Sequence, residues 1–189
     1  SGAPVPLTCG IELPSNGPLA AADGADALIV IAGFKQWQEA TPALIRDLAR
    51  MAPRFAALGG IDAGAWVLAR AGLLNGYKAT VHWEDHEDFA AAHPRVETQP
   101  ARFVIDRNRF TAGGAAPAAD LMLHLIRARH GPALALQVAA SFITTARDGH
   151  EPQISRKTAD PRLDPRVAAA IARMETRLDS PETCAQIAR

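Results

Sequence analysis

Two short, uninterrupted apolar runs constrain the fold of this chain more than any other feature: DALIVIAG at 26–33 and RFAALGG at 54–60. Each ends in glycine and each is followed by a helical pattern. A strand with one wet face alternates apolar and polar residues, whereas a run that is apolar throughout reads as a strand covered on both faces, as in parallel sheets. After the first run, Thr41 as N-cap and Pro42 at the first helical position open a helix predicted over 41–51. After the second, AGAWVLARAGLL (63–74) reads as a helix closed by Asn75-Gly76, and KATVH (78–82) as a third strand. Strand, helix, strand, helix, strand at this spacing implies an α/β sheet with crossover helices.

The rest of the chain extends that plan. A short helix over 84–92 is stopped by His93-Pro94, and RVETQ, RFVIDR and RFTAGG within 95–114 are strand-like. A long helix over 115–129 and a second, after His130-Gly131-Pro132, are expected to cover one face of the sheet. The stretch 146–162 is polar, contains Pro152 and Pro161 and lacks an apolar period, so it reads as a linker between a domain at 1–145 and a helical segment at 163–189. That last segment holds an amphipathic helix over 166–178 and a further helix opening at Pro181.

Composition excludes several classes of function. Twenty Lys and Arg face twenty Asp and Glu, and the balance holds on both sides of residue 144, so no basic field is present to hold nucleic acid or an anionic membrane. Cys9 and Cys184 lie far apart without metal or redox spacing, and no run approaches the roughly 20 apolar residues that span a bilayer. A cytoplasmic protein without cofactor or metal is expected. His86 and His93, which flank the acidic residues of HWEDHED (82–88) and its short helix, are not spaced as helical i, i+4 ligands, so that segment reads as a solvated acidic face. His124 and His130 read as structural.

The sharpest local pattern is Gly60-Ile61-Asp62-Ala63-Gly64, set between a buried strand and a helix. Flanking glycines there allow the tight, strained turn that lifts one side chain above the sheet edge. The side chain is Asp62. It can cap the helix, hold a cationic group, or act as a nucleophile with help from His82 at the end of the next strand. The N–H groups of Ala63 and Gly64 at the helix start form a small anion-binding set, with which a carboxylate competes. Trp83, Phe34 and Trp37 can wall the same mouth, and aromatic faces beside a carboxylate suit ammonium or guanidinium groups. Core packing explains such aromatics equally well, and His82 can equally be a satisfied edge histidine.

From 59 to 85 the sequence GGIDAGAWVLARAGLLNGYKATVHWED resembles the amidotransferase-like domain of AraC-family transcriptional regulators, a branch of the DJ-1/PfpI superfamily. PRVETQPARFVIDRNRFTAGGAAPAADLMLHLIRARHGPALALQVAASFI and DPRVAAAIARMETRLDSPETCAQIAR follow the same family's order, the second resembling the lead into its helix-turn-helix domain. The resemblance implies a flavodoxin-like, DJ-1-like, mostly parallel sheet flanked by helices, with a C-terminal helical fragment. It also implies a homodimer, a small-molecule effector bound near Asp62, Ala63, His82, Trp83 and Phe34, and contact with DNA only through a helix-turn-helix domain outside this chain. The subgroup with aspartate at the turn resembles regulators of arginine, betaine or carnitine catabolism. In the family's enzymes a cysteine occupies the place of Asp62, so thiol chemistry is not carried over. A hydrolase or hydratase using Asp62 and His82 is the alternative. The family's first strand and helix, with the acidic residue that faces the turn, find no match here, so the sensor domain is expected to be incomplete.

Overall fold

The computed structural model describes residues 2–7, 9–153, 164–175 and 183–187. The chain divides into two compact units, Ser1–Gln153 and Ile154–Arg189. In the first, the turn-rich start forms a small antiparallel hairpin of β1 (Val5–Pro6) and β2 (Glu12–Leu13). The two apolar runs become β3 (Ala27–Ala32) and β4 (Ala57–Asp62), paired in parallel from Ala27 opposite Ala57 to Ala32 opposite Asp62. Between them lie the single-turn helix α1 (Gln36–Glu39) and α2 (Pro42–Met51). Thr41 caps α2 as expected, its Oγ1 accepting the Leu44 N–H at 3.3 Å.

Helix α3 (Gly64–Arg70) leaves β4 and ends earlier than its apolar pattern suggests, because the chain turns at Gly72, whose φ is +72°. There follow β5 (Lys78–Ala79), a 3-10 turn over Trp83–Asp85, α4 (His86–Ala92), β6 (Glu97–Thr98), β7 (Phe103–Asp106) and β8 (Arg109–Ala112). Helices α5 (Ala115–His130) and α6 (Pro132–Ser141) complete the unit. The main sheet has the order β3-β4-β8-β7, parallel except for the antiparallel β7–β8 pair. This is the mostly parallel, helix-flanked α/β fold expected.

One strand differs. The stretch 78–82 does not join the main sheet: only Lys78 and Ala79 are in a strand, paired with β6 in a separate two-stranded sheet, while β8 lies beside β4. The reason is local hydrogen bonding. The Thr80 N–H donates to Thr111 Oγ1 at 2.8 Å, and the Thr80 hydroxyl donates to the Ala101 carbonyl at 2.8 Å. Side chains therefore satisfy the backbone that a ladder would otherwise pair. His82 consequently sits in a non-strand segment beyond β5.

The core packs on both faces of β4. Trp66 and Leu68 of α3 meet Leu74, Val81, Phe89 and Val96 in one cluster. Ile61, Phe103, Phe110 and Leu121 form another beneath α5, and Met51, Phe55 and Leu58 a third. Into this apolar setting α5 brings Asp120, whose Oδ2 accepts from Arg102 Nε at 2.8 Å, with side chains only 7% and 5% exposed.

That ion pair fastens the end of the unit. The Asp120 carboxylate also accepts the Arg147 N–H at 3.0 Å, and the Arg102 N–H donates to the carbonyls of Gly149 and Glu151 at 2.8 and 3.1 Å. The Gln153 amide donates to the carbonyls of Val81 and Ala101 at 2.8 and 2.9 Å, in a slot where a Cβ on Gly113 would overlap it. Residues 146–153, expected as the start of a linker, are thus a strap belonging to the first unit. The remainder of that expected linker lies outside the described residues.

The second unit contributes α7 (Pro165–Glu175) and α8 (Cys184–Ile187). Helix α7 exposes Val167, Ile171 and Met174 at helical spacing, in line with the amphipathic helix expected there. The expected end of that helix at 176–178, and the opening at Pro181, lie outside the described residues.

Removing one partner of a buried ion pair strands the other charge away from water, at a cost of about 3–5 kcal/mol. Asp120→Ala is therefore expected to destabilise the chain by roughly that amount and to expose the strap to proteolysis near Gly149. Urea unfolding with limited proteolysis measures both.

Candidate functional site

The junction of β4 and α3 is a strained turn. Asp62 ends β4 with φ at +55°, a conformation that a non-glycine side chain rarely adopts. The N-cap of α3 is Ala63, and no side chain caps it, so the reading of Asp62 as a plain helix cap is set aside. Close approach explains the glycines on either side. A Cβ on Gly64 would lie only 2.0 Å from the Val30 carbonyl oxygen, and one on Gly60 would lie 2.9 Å from the Ala65 nitrogen. The helix start is pressed against both strands, and Asp62 is left to project at their carboxyl ends, where open α/β sheets bind ligands.

There Asp62 opens into a notch of about 240 Å³. Phe34 and Lys35 line it from the β3–α1 connection, Gln36 and Trp37 from α1, Ala63 from the turn, and His82, Glu84 and Asp85 from beyond β5. Of the residues singled out in the sequence, Asp62, Ala63, His82, Phe34 and Trp37 thus meet in one place. Trp83 is not among the lining residues; it is half-exposed, its ring 5.8 Å from that of His82. Cys9, in the hairpin loop, does not line the notch, and Cys184 belongs to the second unit.

Electrostatics favour a cation. Burial pushes the Asp62 carboxyl above the usual aspartate range, and Asp85 and Glu84 push the same way, while His82 and the Ala63 amide act to lower it. The Nδ1 of His82 lies 3.5 Å from the Glu84 carboxylate. Of the two candidate anion donors in the sequence, the Ala63 N–H is already engaged, donating to the Ala32 carbonyl at 3.0 Å. Among the described residues no three His, Cys, Asp or Glu side chains are grouped to hold a metal ion.

The acidic segment is less solvated than its sequence suggests. Asp85 accepts the Trp66 indole N–H at 3.1 Å, and the Nε2 atoms of His86 and His93 are buried. Burial and the charge of Arg70 hold His93 below the usual imidazole range. Sequence reasoning missed Gln36 altogether, since nothing about a lone glutamine in QWQE announces that it will be buried.

A strand, a strained turn carrying a reactive-position side chain, and a helix starting beneath it define the α/β proteins built on a nucleophile-elbow-like turn. The profile of the DJ-1/PfpI family matches residues 4–128, and the chain belongs to that family. It is 42% identical over 142 residues to the HTH-type transcriptional regulator CdhR of Pseudomonas aeruginosa, a match covering 75% of this chain and 42% of that protein. To the HTH-type transcriptional regulator GbdR of the same species it is 33% identical over 174 residues, covering 91% of this chain and 47% of that protein. The chain therefore spans less than half the length of these curated relatives. The crystal structure of an AraC family transcriptional regulator from Pseudomonas putida superposes with a TM-score of 0.63 at 33% identity, over 75% of this chain and 77% of that one.

The raised Asp62 pKa has a defined consequence for stability. Between the ordinary aspartate value of about 3.9 and the raised one, the folded chain binds more protons than the unfolded chain, so stability falls as pH rises through that window and stays lost above it. Asn keeps the shape and tolerates positive φ. Asp62→Asn is expected to melt higher than the parent at pH 7, with the gap closing below about pH 4. Thermal melts across pH check both the sign and the window.

Proposed function

We propose that this chain is the ligand-sensing and dimerising part of a bacterial AraC-family transcriptional regulator working in the cytoplasm. Its effector is a small amino or quaternary-ammonium metabolite held by Asp62, with Ala63, His82 and Phe34 around it and Trp83, expected there from the sequence, left outside the notch. The observation that carries this reading is the turn itself: it keeps its strained geometry while presenting a half-buried carboxylate, in a notch lined by two further carboxylates. A buried carboxylate that is costly to ionise is stabilised by a bound cation, and binding lowers its pKa in return. The names of the curated relatives support the regulatory context. They also favour a role without turnover in this chain.

The strap supplies a route from ligand to linker. Gln153 bonds to the Val81 carbonyl, one residue before His82, and Gly114 lies against the His82 ring, where a Cβ would be 3.6 Å from its Cδ2. A cation that moves His82 therefore acts on the segment through which the chain leaves the unit. Through that exit, effector binding shifts the orientation of a DNA-binding domain carried by the longer protein. DNA contact belongs to that domain, in keeping with the neutral charge of this chain.

Calorimetry against arginine, glycine betaine and carnitine tests the reading. Binding of at least one, lost by roughly tenfold or more in Asp62→Ala, is expected for a charge-assisted contact. No binding by any cation, or affinity unchanged in the variant, overturns it.

A further inference from the structure

We infer that the notch selects cations bearing N–H donors, ammonium or guanidinium, over quaternary ammonium, and that Gln36 is the residue that discriminates. This rests on the reading of the notch as a cation site. Gln36 lines the notch and is only 6% exposed, yet its amide makes no hydrogen bond among the described residues and its Oε1 is sealed from solvent without a partner. Buried amides are nearly always paired, and an unpaired one is costly to fold around. Nothing locks this amide, since its terminal torsion is broad and neither of its polar atoms is engaged. Beside Asp62, Glu84 and Asp85, the favourable orientation in the presence of a cation turns the oxygen toward it.

An ammonium or guanidinium group then donates to the Asp62 carboxylate and to Gln36 Oε1 together, satisfying both groups. A quaternary ammonium has no proton to give and leaves Gln36 as it was. Such ligands are recognised instead by the faces of an aromatic cage, and the aromatics here do not provide one. Phe34 is 86% exposed and walls one side only. Trp37 is already engaged, edge-on to Trp66 at 4.7 Å and beneath the Arg70 guanidinium at 5.4 Å. A resident cation over Trp37 opposes a second one there. Lys35, which also lines the notch, leaves room for an anionic group on the same ligand.

The test uses a matched pair, Nα-acetylated lysine and its Nε-trimethylated form, in which the side-chain nitrogen is the sole cation, titrated into the full chain by calorimetry or by indole NMR. The unmethylated form is expected to bind roughly tenfold or more tightly, the scale of one hydrogen bond to a charged donor. In Gln36→Met, which fills the same space without an acceptor, the two are expected to converge to within about twofold, because only the unmethylated form weakens. Equal or tighter binding of the trimethylated form by the parent overturns the inference while leaving the cation site standing. Discrimination that survives in Gln36→Met assigns it to size alone and also overturns the role of Gln36. If neither form nor any other cation binds, the cation reading of the notch falls as well. A thermal melt confirms folding, since removing an unpaired buried amide is expected to raise the melting temperature.

Discussion

The contact on which this molecule depends is the approach of the Gly64 backbone to the Val30 carbonyl oxygen, so close that a single Cβ would overlap it. With the start of α3 pressed there, the chain between strand and helix has no relaxed path. Asp62 takes the strain as a positive φ. In return its carboxylate is held at the carboxyl ends of β3 and β4, half out of water and within the field of His82, Glu84 and Asp85. Strain of this kind persists only where the surrounding packing over-determines it. The fully buried Leu68 and Leu74, with Trp66 wedged against Phe89, supply that packing.

The same contact explains what was legible in the sequence. The runs ALIVIA and ALGGID announce parallel strands, but only β4 is covered on both faces as expected; β3, at the edge of the sheet, leaves Ile29 and Ile31 exposed, while the glycines of GIDAG announce close backbone approach. Thr41-Pro42 gave the start of α2 to the residue. The stretch 78–82 misled for the complementary reason: KATVH has strand-like content, but the hydroxyls of Thr80 and Thr111 satisfy its backbone from the side. Hydrogen bonds between a hydroxyl and the backbone 21 to 31 residues away leave no periodic trace.

Within the site, the turn and its flanking aromatics were readable because strand ends and helix starts converge in this topology. Gln36 and the Asp85–Trp66 bond were not, since both arise from tertiary burial of residues that look like surface. The polar stretch from 146 posed the same problem in reverse. Its composition is that of a linker, yet Asp120, an acidic residue in the apolar helix α5, waits in the core for Arg102 and for the Arg147 N–H. A single charge in the apolar first half of a helix, Asp120 within AAPAADLML, is the signal that could have located the strap.

The strained carboxylate is also the most direct point of measurement. Carbon-detected NMR can follow the titration of the Asp62 carboxyl in the free chain and in the presence of saturating arginine. The account predicts an apparent pKa above the ordinary aspartate range in the free chain, falling when the cation binds, as linkage requires of a carboxylate that gains an opposite charge. A carboxyl that titrates as an ordinary exposed aspartate, or one that no cationic metabolite shifts, would contradict it.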